Sequence, residues 1–160
     1  MSDDIRAHLD TLAAFPEQLK QQVRGLADTA LRFRPAPGEW SVVEVVGHLI
    51  DIEAVYSARV RQALASDNPN FPAFDPDETV RQRDYQNKQI NFLLITFTER
   101  RAEHLEFLRM LRPTQLSRTG IHASRGQISV ADLVRMLASH DGNHHNQIAN
   151  NLAALAHGAT

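Results

Sequence analysis

The chain has 160 residues, 42% of them hydrophobic and 22% charged, and a formal net charge of −2; it is long enough for one domain with its own core. The absence of cysteine excludes disulfides, thiolate metal sites and a cysteine nucleophile. The near-balanced charge predicts no nucleic-acid partner. The polar N-terminus and the lack of a long apolar run predict a cytoplasmic protein with no membrane span.

The first two predicted helices cover residues 3–31 and 41–65. Pro16 is expected to kink or divide the first one. A turn-rich segment, RFRPAPGEW (32–40), follows it. The second helix begins at Ser41, where SVVE (41–44) has the pattern of a capping box, in which Ser and Glu satisfy free N-terminal amides.

The third and fourth predicted helices cover residues 76–111 and 129–156. Pro76 suits a first helical turn, and Pro113 is expected to stop the third helix. SVAD (129–132) is a second capping-box pattern, and Gly142 costs the fourth helix about 1 kcal/mol. Residues 120–129 can form a short irregular hairpin. Four helices in a chain of this length predict an all-α four-helix bundle.

The fourth helix carries polar side chains on its apolar face. An α-helix advances about 100° per residue, so His140, His144, Gln147 and Asn151 share that face. His145 lies about 140° away and is expected to face solvent. The apolar members of the face are Leu133, Met136, Leu137, Ile148, Leu152 and Leu155. Burying each polar group without a partner would cost about 1–3 kcal/mol, so this face predicts a function beyond packing.

The second helix shows one similar anomaly. His48 lies among apolar residues, flanked by Glu44, interpreted as a helix cap, and Asp51, interpreted as a solvated flank. The apolar neighbours are Val45, Ile52 and Val55. In a bundle this histidine can meet the pair from the fourth helix. Three neutral imidazoles with open positions left for water are the ligand set of a catalytic divalent-metal site.

The remaining histidines are interpreted as surface or loop residues: His8, His104, His122, His145 and His157. Of these, His122 lies in a loop that can fold over the predicted site. His122 and Asp51 are the candidates for a general base, on expected proximity alone. Hydrogen-bonded core histidines without a metal are the alternative interpretation of His48, His140 and His144.

Two blocks of the sequence resemble the DinB/YfiT-like superfamily, and its DinB_2 branch in particular. WSVVEVVGHLIDIE (40–53) is followed by H-D-x-x-H-H-x-Q-I (140–148). NPNFPAFDPDE (68–78) and HASRGQISVADLV (122–134) are also similar to that branch. Relatives often have two adjacent histidines ending at the last ligand position, whereas here Asn143 precedes His144 and the extra histidine follows it.

The resemblance implies an up-down-down-up four-helix bundle with a three-histidine site for a divalent metal ion, nickel or zinc. By position its ligands are His48, His140 and His144, with water completing the shell. It further implies a metal-dependent hydrolase, or an S-transferase that uses a small thiol such as bacillithiol or mycothiol.

The leading hypothesis is therefore a metal-dependent enzyme that acts on a small-molecule substrate. Because the chain has no cysteine, thiol chemistry would need a small-thiol cosubstrate. The alternative is a non-catalytic metal-binding or interaction module, whose bundle surface binds a partner or forms a homodimer. An open coordination position would favour the enzyme, and a site filled by protein groups would favour the module.

Overall fold

The computed structural model describes residues 2–158. Four long helices and several short elements make up the described part of the chain. In chain order they are α1 (Asp3–Val23), α2 (Asp28–Leu31), α3 (Val42–Ala65), α4 (Pro76–Arg83), a 3₁₀ helix (Tyr85–Asn87), α5 (Ile90–Arg109), α6 (Pro113–Leu116), β1 (Thr119–His122), β2 (Gly126–Ser129) and α7 (Val130–Gly158).

The first and last long helices, α1 and α7, run parallel. Near their N-terminal ends, Arg135 of α7 lies 2.8 Å from the carboxylate of Asp4. Further along both helices, the Gln22 side chain donates a 2.8 Å hydrogen bond to the backbone carbonyl of His145. Contacts between the two helices therefore follow the same order in both sequences.

The two middle long helices, α3 and α5, also run parallel. Glu53 of α3 pairs with Arg101 of α5, and two turns later the Arg61 guanidinium lies over the ring of Phe107. Parallel neighbours that follow each other in sequence need a long connection. Residues 66–89 provide it, running back along the outside of the bundle.

The α3 and α7 helices run antiparallel and complete the topology. His48 of α3 meets His140 of α7, while Asn151, further along α7, bonds to Trp40, which precedes α3. The α1 and α5 helices cross in the same antiparallel sense, since Leu12 and Phe15 of α1 contact Arg101 and Phe97 of α5 in reverse order. The bundle is up-down-down-up, which confirms the predicted fold class.

The prediction of a first helix over residues 3–31 is wrong at the C-terminal end, because α1 stops at Val23. The helix continues through Pro16, which is buried, so the expected division at this residue does not occur. The break comes at Gly25, whose φ of +71° is in the left-handed region that ends helices. Helix then resumes as the short α2.

The predicted third helix is also wrong, because the structure divides it. α4 ends at Arg83, and the next residue, Asp84, has left-handed φ and ψ of 52° and 46°. Next come the 3₁₀ helix and then α5. Tertiary contacts explain the interruption: the Tyr85 hydroxyl donates to Asp51 of α3, and the Gln86 side chain bonds Ser41 and the carbonyl of Arg32. A continuous helix could not direct both side chains onto α3.

The other predicted boundaries agree with the structure. Ser41 and Glu44 form the predicted capping box of α3, and Ser129 and Asp132 bond reciprocally at the start of α7. The hairpin is present as β1 and β2, paired in antiparallel register. Within residues 2–158, no helix combines the length and apolar character that crossing a membrane requires.

Candidate metal centre

Three imidazoles meet between α3 and α7. The Nε2 atom of His140 lies 3.1 Å from Nε2 of His48 and 3.1 Å from Nε2 of His144. In residues 2–158 this is the one group of three or more potential ligands whose donor atoms all lie within 4.8 Å of one another. The structure thus brings together the side chains that the sequence singles out; metal binding by them stays a prediction.

The spacing of the three nitrogens suits a single small cation. Two metal–nitrogen bonds of about 2.05 Å place their nitrogens about 2.9 Å apart at a right angle and about 3.3 Å apart at the tetrahedral angle. The observed 3.1 Å separations fall between these values. All three imidazoles also present the same ring atom, so the donor set is three equivalent nitrogens, which suits several divalent first-row metals.

The tautomer of His144 leaves the nitrogen that faces the other two imidazoles free. Its Nδ1 donates a 2.7 Å hydrogen bond to Oε1 of Gln147, since the amide oxygen can only accept. Nε2 of the neutral ring therefore carries a lone pair directed at the other two imidazoles. Partners of this kind fix the orientation of metal-binding histidines. Gln147, which the sequence predicts on this face of α7, therefore orients the His144 ring.

Burial keeps the three imidazoles uncharged. Removal from water, with smaller contributions from His144 and His140, lowers the pKa of His48 to about 2. Burial, with help from His144 and Arg101, lowers the pKa of His140 to about 3. Burial also lowers the pKa of His144, against the opposing effect of Gln147. All three are neutral near pH 7, the form that ligates a metal.

Aromatic rings flank the cluster. The Trp40 ring lies 4.7 Å from the ring of His48 and is stacked 6.2 Å from that of His144. Asn151 holds Trp40 in place by donating a 2.7 Å hydrogen bond to its backbone carbonyl. On another side, Phe74 stacks 6.3 Å from His48. Asn151, the last polar residue predicted on this face, thus supports the wall of the site.

The three rings differ in exposure. His48 is only 3% exposed, whereas His140 and His144 are half-buried. The α7 pair is therefore the more exposed side of the cluster, and His48 lies at the back.

His145 points away from the cluster, as the helical register predicts. It is half-buried, however, and does not stand free in solvent. Its ring lies 6.3 Å from Phe15 of α1 in an edge contact. The ring expected to face solvent is thus partly covered, because α1 packs parallel to α7 on that side.

A buried ion network adjoins the cluster. Arg101 of α5 is 1% exposed. It lies 2.7 Å from Glu53 of α3 and makes two hydrogen bonds, of 2.7 and 3.1 Å, to Asp141 of α7. It also donates to the carbonyl of Leu12 in α1. Asp141 directly follows His140, so the network anchors α7 next to one of the three clustered imidazoles.

The interpretation of His104 as a surface residue is wrong. Its side chain is 3% exposed, and its Nδ1 lies 2.5 Å from Oε1 of Glu53. Burial alone would raise the pKa of Glu53, but His104 and Arg101 together hold it below its usual range. Burial raises the pKa of Asp141 to about 6, although Arg101 opposes the shift. The sequence offers no periodic signal for this network, whose members come from three separate helices.

The two candidate general bases lie apart from the imidazoles. The interpretation of Asp51 as a solvated flank is wrong: it is 8% exposed and accepts a 2.9 Å hydrogen bond from Tyr85. His122 lies on β1 and bonds to Ser124 of the same hairpin. Among the described residues, neither has a hydrogen bond or ring contact to the cluster. Glu44 caps α3 as predicted and also pairs with Arg34.

The two histidines near the chain ends behave as predicted for surface residues. His8 and His157 each bond a backbone carbonyl of their own helix, four residues earlier. His157 is exposed and His8 half-buried.

Comparison with known proteins yields relatives across most of the chain. The profile of the DinB superfamily matches residues 11–148. Two proteins of Oceanobacillus iheyensis, named "Putative metal-dependent hydrolase OB0413" and "Putative metal-dependent hydrolase OB0782", are 28% and 29% identical to this chain. The first alignment covers 89% of this chain and 82% of the relative. The second covers 88% and 81%.

Solved structures share the fold. YfiT from Bacillus subtilis, described as "a probable metal-dependent hydrolase with an unusual four-helix bundle topology", superposes with a TM-score of 0.89 at 22% identity. The match covers 98% of this chain and 90% of YfiT. A mycothiol-dependent maleylpyruvate isomerase superposes with a TM-score of 0.73 at 9% identity. That match covers 90% of this chain and 60% of the isomerase.

The profile, the relatives and the fold point to the same family. The profile alone covers well over half of the 160 residues. This chain belongs to the DinB superfamily.

Proposed function

We propose that this protein is a metal-dependent enzyme in which His48, His140 and His144 hold one divalent ion, nickel or zinc. The observation that carries the proposal is the meeting of three neutral imidazoles, in which Nε2 of His140 lies 3.1 Å from Nε2 of each of the other two rings. Three protein ligands leave room in the coordination shell, as catalytic sites do. The substrate is a small molecule that approaches past the half-buried α7 pair.

A divalent ion bound here would supply Lewis acidity and lower the pKa of a water or thiol that it ligates. The chain's own residues would prepare that site. Gln147 keeps the lone pair of His144 directed inward, and Trp40 and Phe74 cover the His48 side against water. Exclusion of water strengthens every electrostatic interaction within such a site.

The reaction class is either hydrolysis or transfer of a small thiol. The names of the Oceanobacillus relatives support a hydrolase. The mycothiol-dependent isomerase with the same fold supports a thiol cosubstrate. Because this chain has no cysteine, the sulfur in thiol chemistry would come from the cosubstrate.

Metal content tests the ligand set. Untagged protein should retain about one divalent ion per chain, following the three-ligand geometry of single-ion sites. A triple variant with His48→Ala, His140→Ala and His144→Ala should retain none. The single variant His144→Ala should lose most of the metal, while His145→Ala, one residue away and directed at α1, should keep it. Equal metal content in wild type and triple variant, measured by elemental analysis, would remove the proposal.

An exchangeable coordination position distinguishes the enzyme from the non-catalytic module. The absorption spectrum of cobalt-substituted protein should change when a small thiol such as mycothiol is added. A spectrum that ignores thiols and other small ligands would favour the module. Turnover assays with ester substrates and with several small thiols would then separate the hydrolase from the S-transferase.

A further inference from the structure

Arg59 of α3 is a buried cation without a counter-ion. Its side chain is 8% exposed, and among residues 2–158 no carboxylate pairs with it. Its Nε atom has no hydrogen-bond partner among these residues. One NH₂ group reaches the carbonyl of Pro72, at 3.5 Å, the outer limit of a hydrogen bond. A guanidinium carries five N–H donors, so most of them are unused.

Arg101 is a buried arginine of the same molecule whose charge and N–H donors have partners. It has two carboxylate partners and a backbone carbonyl, and these carboxylates hold its pKa above the usual value. Burial instead lowers the pKa of Arg59. An unpaired charge in the interior is costly. The contrast indicates that Arg59 is built to receive a partner from outside the chain.

The described contacts of Arg59 are two aromatic rings and a backbone carbonyl, with no carboxylate among them. The rings of Tyr56 and Phe71 lie 5.7 and 5.9 Å from its guanidinium carbon, which orients the group without neutralising it. The charges of Arg59 and Arg125 both act on His122, whose pKa is lowered by burial first and by these two cations next. Arg125, in the hairpin turn, has no ion pair among the described residues.

Arg59 lies on the same side of α3 as the imidazole cluster. It is about 16 Å beyond His48 along the helix axis and within about 20° of it in rotation. Helical side chains lean toward the N-terminus, which brings the guanidinium closer to His48. The extended segment after α3 joins the two places: Phe71 packs on Arg59 and Phe74 stacks on His48.

We propose that Arg59, assisted by Arg125 and His122 of the hairpin, binds a carboxylate or phosphate group of the ligand that this protein acts on. A planar guanidinium binds either group through two parallel hydrogen bonds. The substrate or cosubstrate is therefore an elongated anion whose charged end lies at Arg59 and whose other end reaches the imidazoles. This substrate class rests on the proposed function, whereas the anion site itself does not.

Anion binding is tested on metal-free protein, with inorganic phosphate and acetate as separate probes at constant ionic strength set with chloride. The unfolding midpoint should rise with the concentration of at least one probe, because binding to the folded state stabilises it. Arg59→Gln should weaken the apparent affinity about tenfold or more, the loss expected for a charge-assisted bond. A response to phosphate alone would assign a phosphate group, and a response to acetate alone a carboxylate.

Arg61→Gln is the matched control. It removes the same charge from α3, on the opposite side of the helix, where Arg61 covers Phe107. It should leave the anion response unchanged. Since Arg59 pairs with no carboxylate, Arg59→Gln should fold like wild type, which circular dichroism checks. Arg125→Gln is a second variant, and it should weaken the response by a smaller factor because Arg125 is exposed.

Two results would overturn the anion site: no response of wild-type protein to either probe, or equal losses in Arg59→Gln and Arg61→Gln. The triple histidine variant should keep the anion response if the anion site is real, even if metal binding fails. The metal content of Arg59→Gln should equal that of wild type. These experiments therefore test the metal site and the anion site independently of each other.

Discussion

Single side chains decide how well the three imidazoles can act together. His144 has a partner on its outer nitrogen, Gln147, whereas the Nδ1 atoms of His48 and His140 find none among residues 2–158. Only His144 therefore has its tautomer set by a protein side chain. The orientation of the His144 ring therefore depends on Gln147, although Gln147 is only half-buried.

Gln147→Leu should lower metal affinity about 10- to 100-fold, the usual effect of losing a hydrogen bond that orients a metal-binding histidine. The physical reason is that the His144 ring can then rotate or place its proton on Nε2. Competition with a chelator of known affinity measures the change. Asn146→Leu, exposed on the same helix, is the control; an equal loss in both variants would contradict this role.

At the scale of elements, helix geometry accounts for the His140–His144 pair. A spacing of four residues places both rings on one face, one turn apart. The close packing of the 3₁₀ helix (Tyr85–Asn87) against α3 depends on a glycine in α3. A Cβ at Gly47 would lie 2.2 Å from the Tyr85 ring, so only glycine lets the 3₁₀ helix pack beside His48.

Two glycines in long helices should respond oppositely to alanine. A Cβ at Gly142 would meet no described atom within 4 Å, so Gly142→Ala should stabilise the protein by about 0.5–1 kcal/mol through backbone entropy. Gly47→Ala should destabilise it by about 1–3 kcal/mol because the Tyr85 ring must move. Chemical denaturation of both variants measures this. A loss of stability in Gly142→Ala would show that the glycine serves another purpose.

At the scale of the whole molecule, one buried cation joins all four long helices. Arg101 of α5 contacts Glu53 of α3, Asp141 of α7 and the carbonyl of Leu12 in α1. His104 adds a hydrogen bond to Glu53. This network lies directly behind His140, so the alignment of α3 and α7 that positions the imidazoles depends on it.

Arg101→Met should destabilise the fold by about 3–5 kcal/mol, because two carboxylates would stay buried without a cation. Arg100→Met, its exposed neighbour, should change stability by no more than about 0.5 kcal/mol. Urea unfolding of both variants provides the measurement. A small effect of Arg101→Met would mean that water can enter and solvate Glu53 and Asp141.

Prediction from sequence succeeded where a local pattern carries the information. The capping boxes at Ser41 and Ser129 and the inward direction of His140 and His144 follow from short-range spacing. Arg59 could have been found in the same way, since it falls on the face of α3 that holds His48. A long polar side chain on that face is a signal of the same kind as the histidine.

Other features depend on contacts between residues far apart in sequence. The break between α4 and α5 follows from Tyr85 and Gln86 bonding to α3 and to Ser41. The burial of His104 follows from Glu53, on a helix that precedes it by about fifty residues. Neither partner can be read from the spacing within one helix.

Helical periodicity and capping patterns in the sequence were thus sufficient to predict the four long helices, their buried faces and the candidate imidazoles. These features depend only on residues within a few helical turns of one another. Tertiary structure alone decided that the three rings share one point, that Arg101 is neutralised and that Arg59 is not. Charge compensation in a protein interior depends on which side chains packing brings together, and packing is a property of all the helices at once.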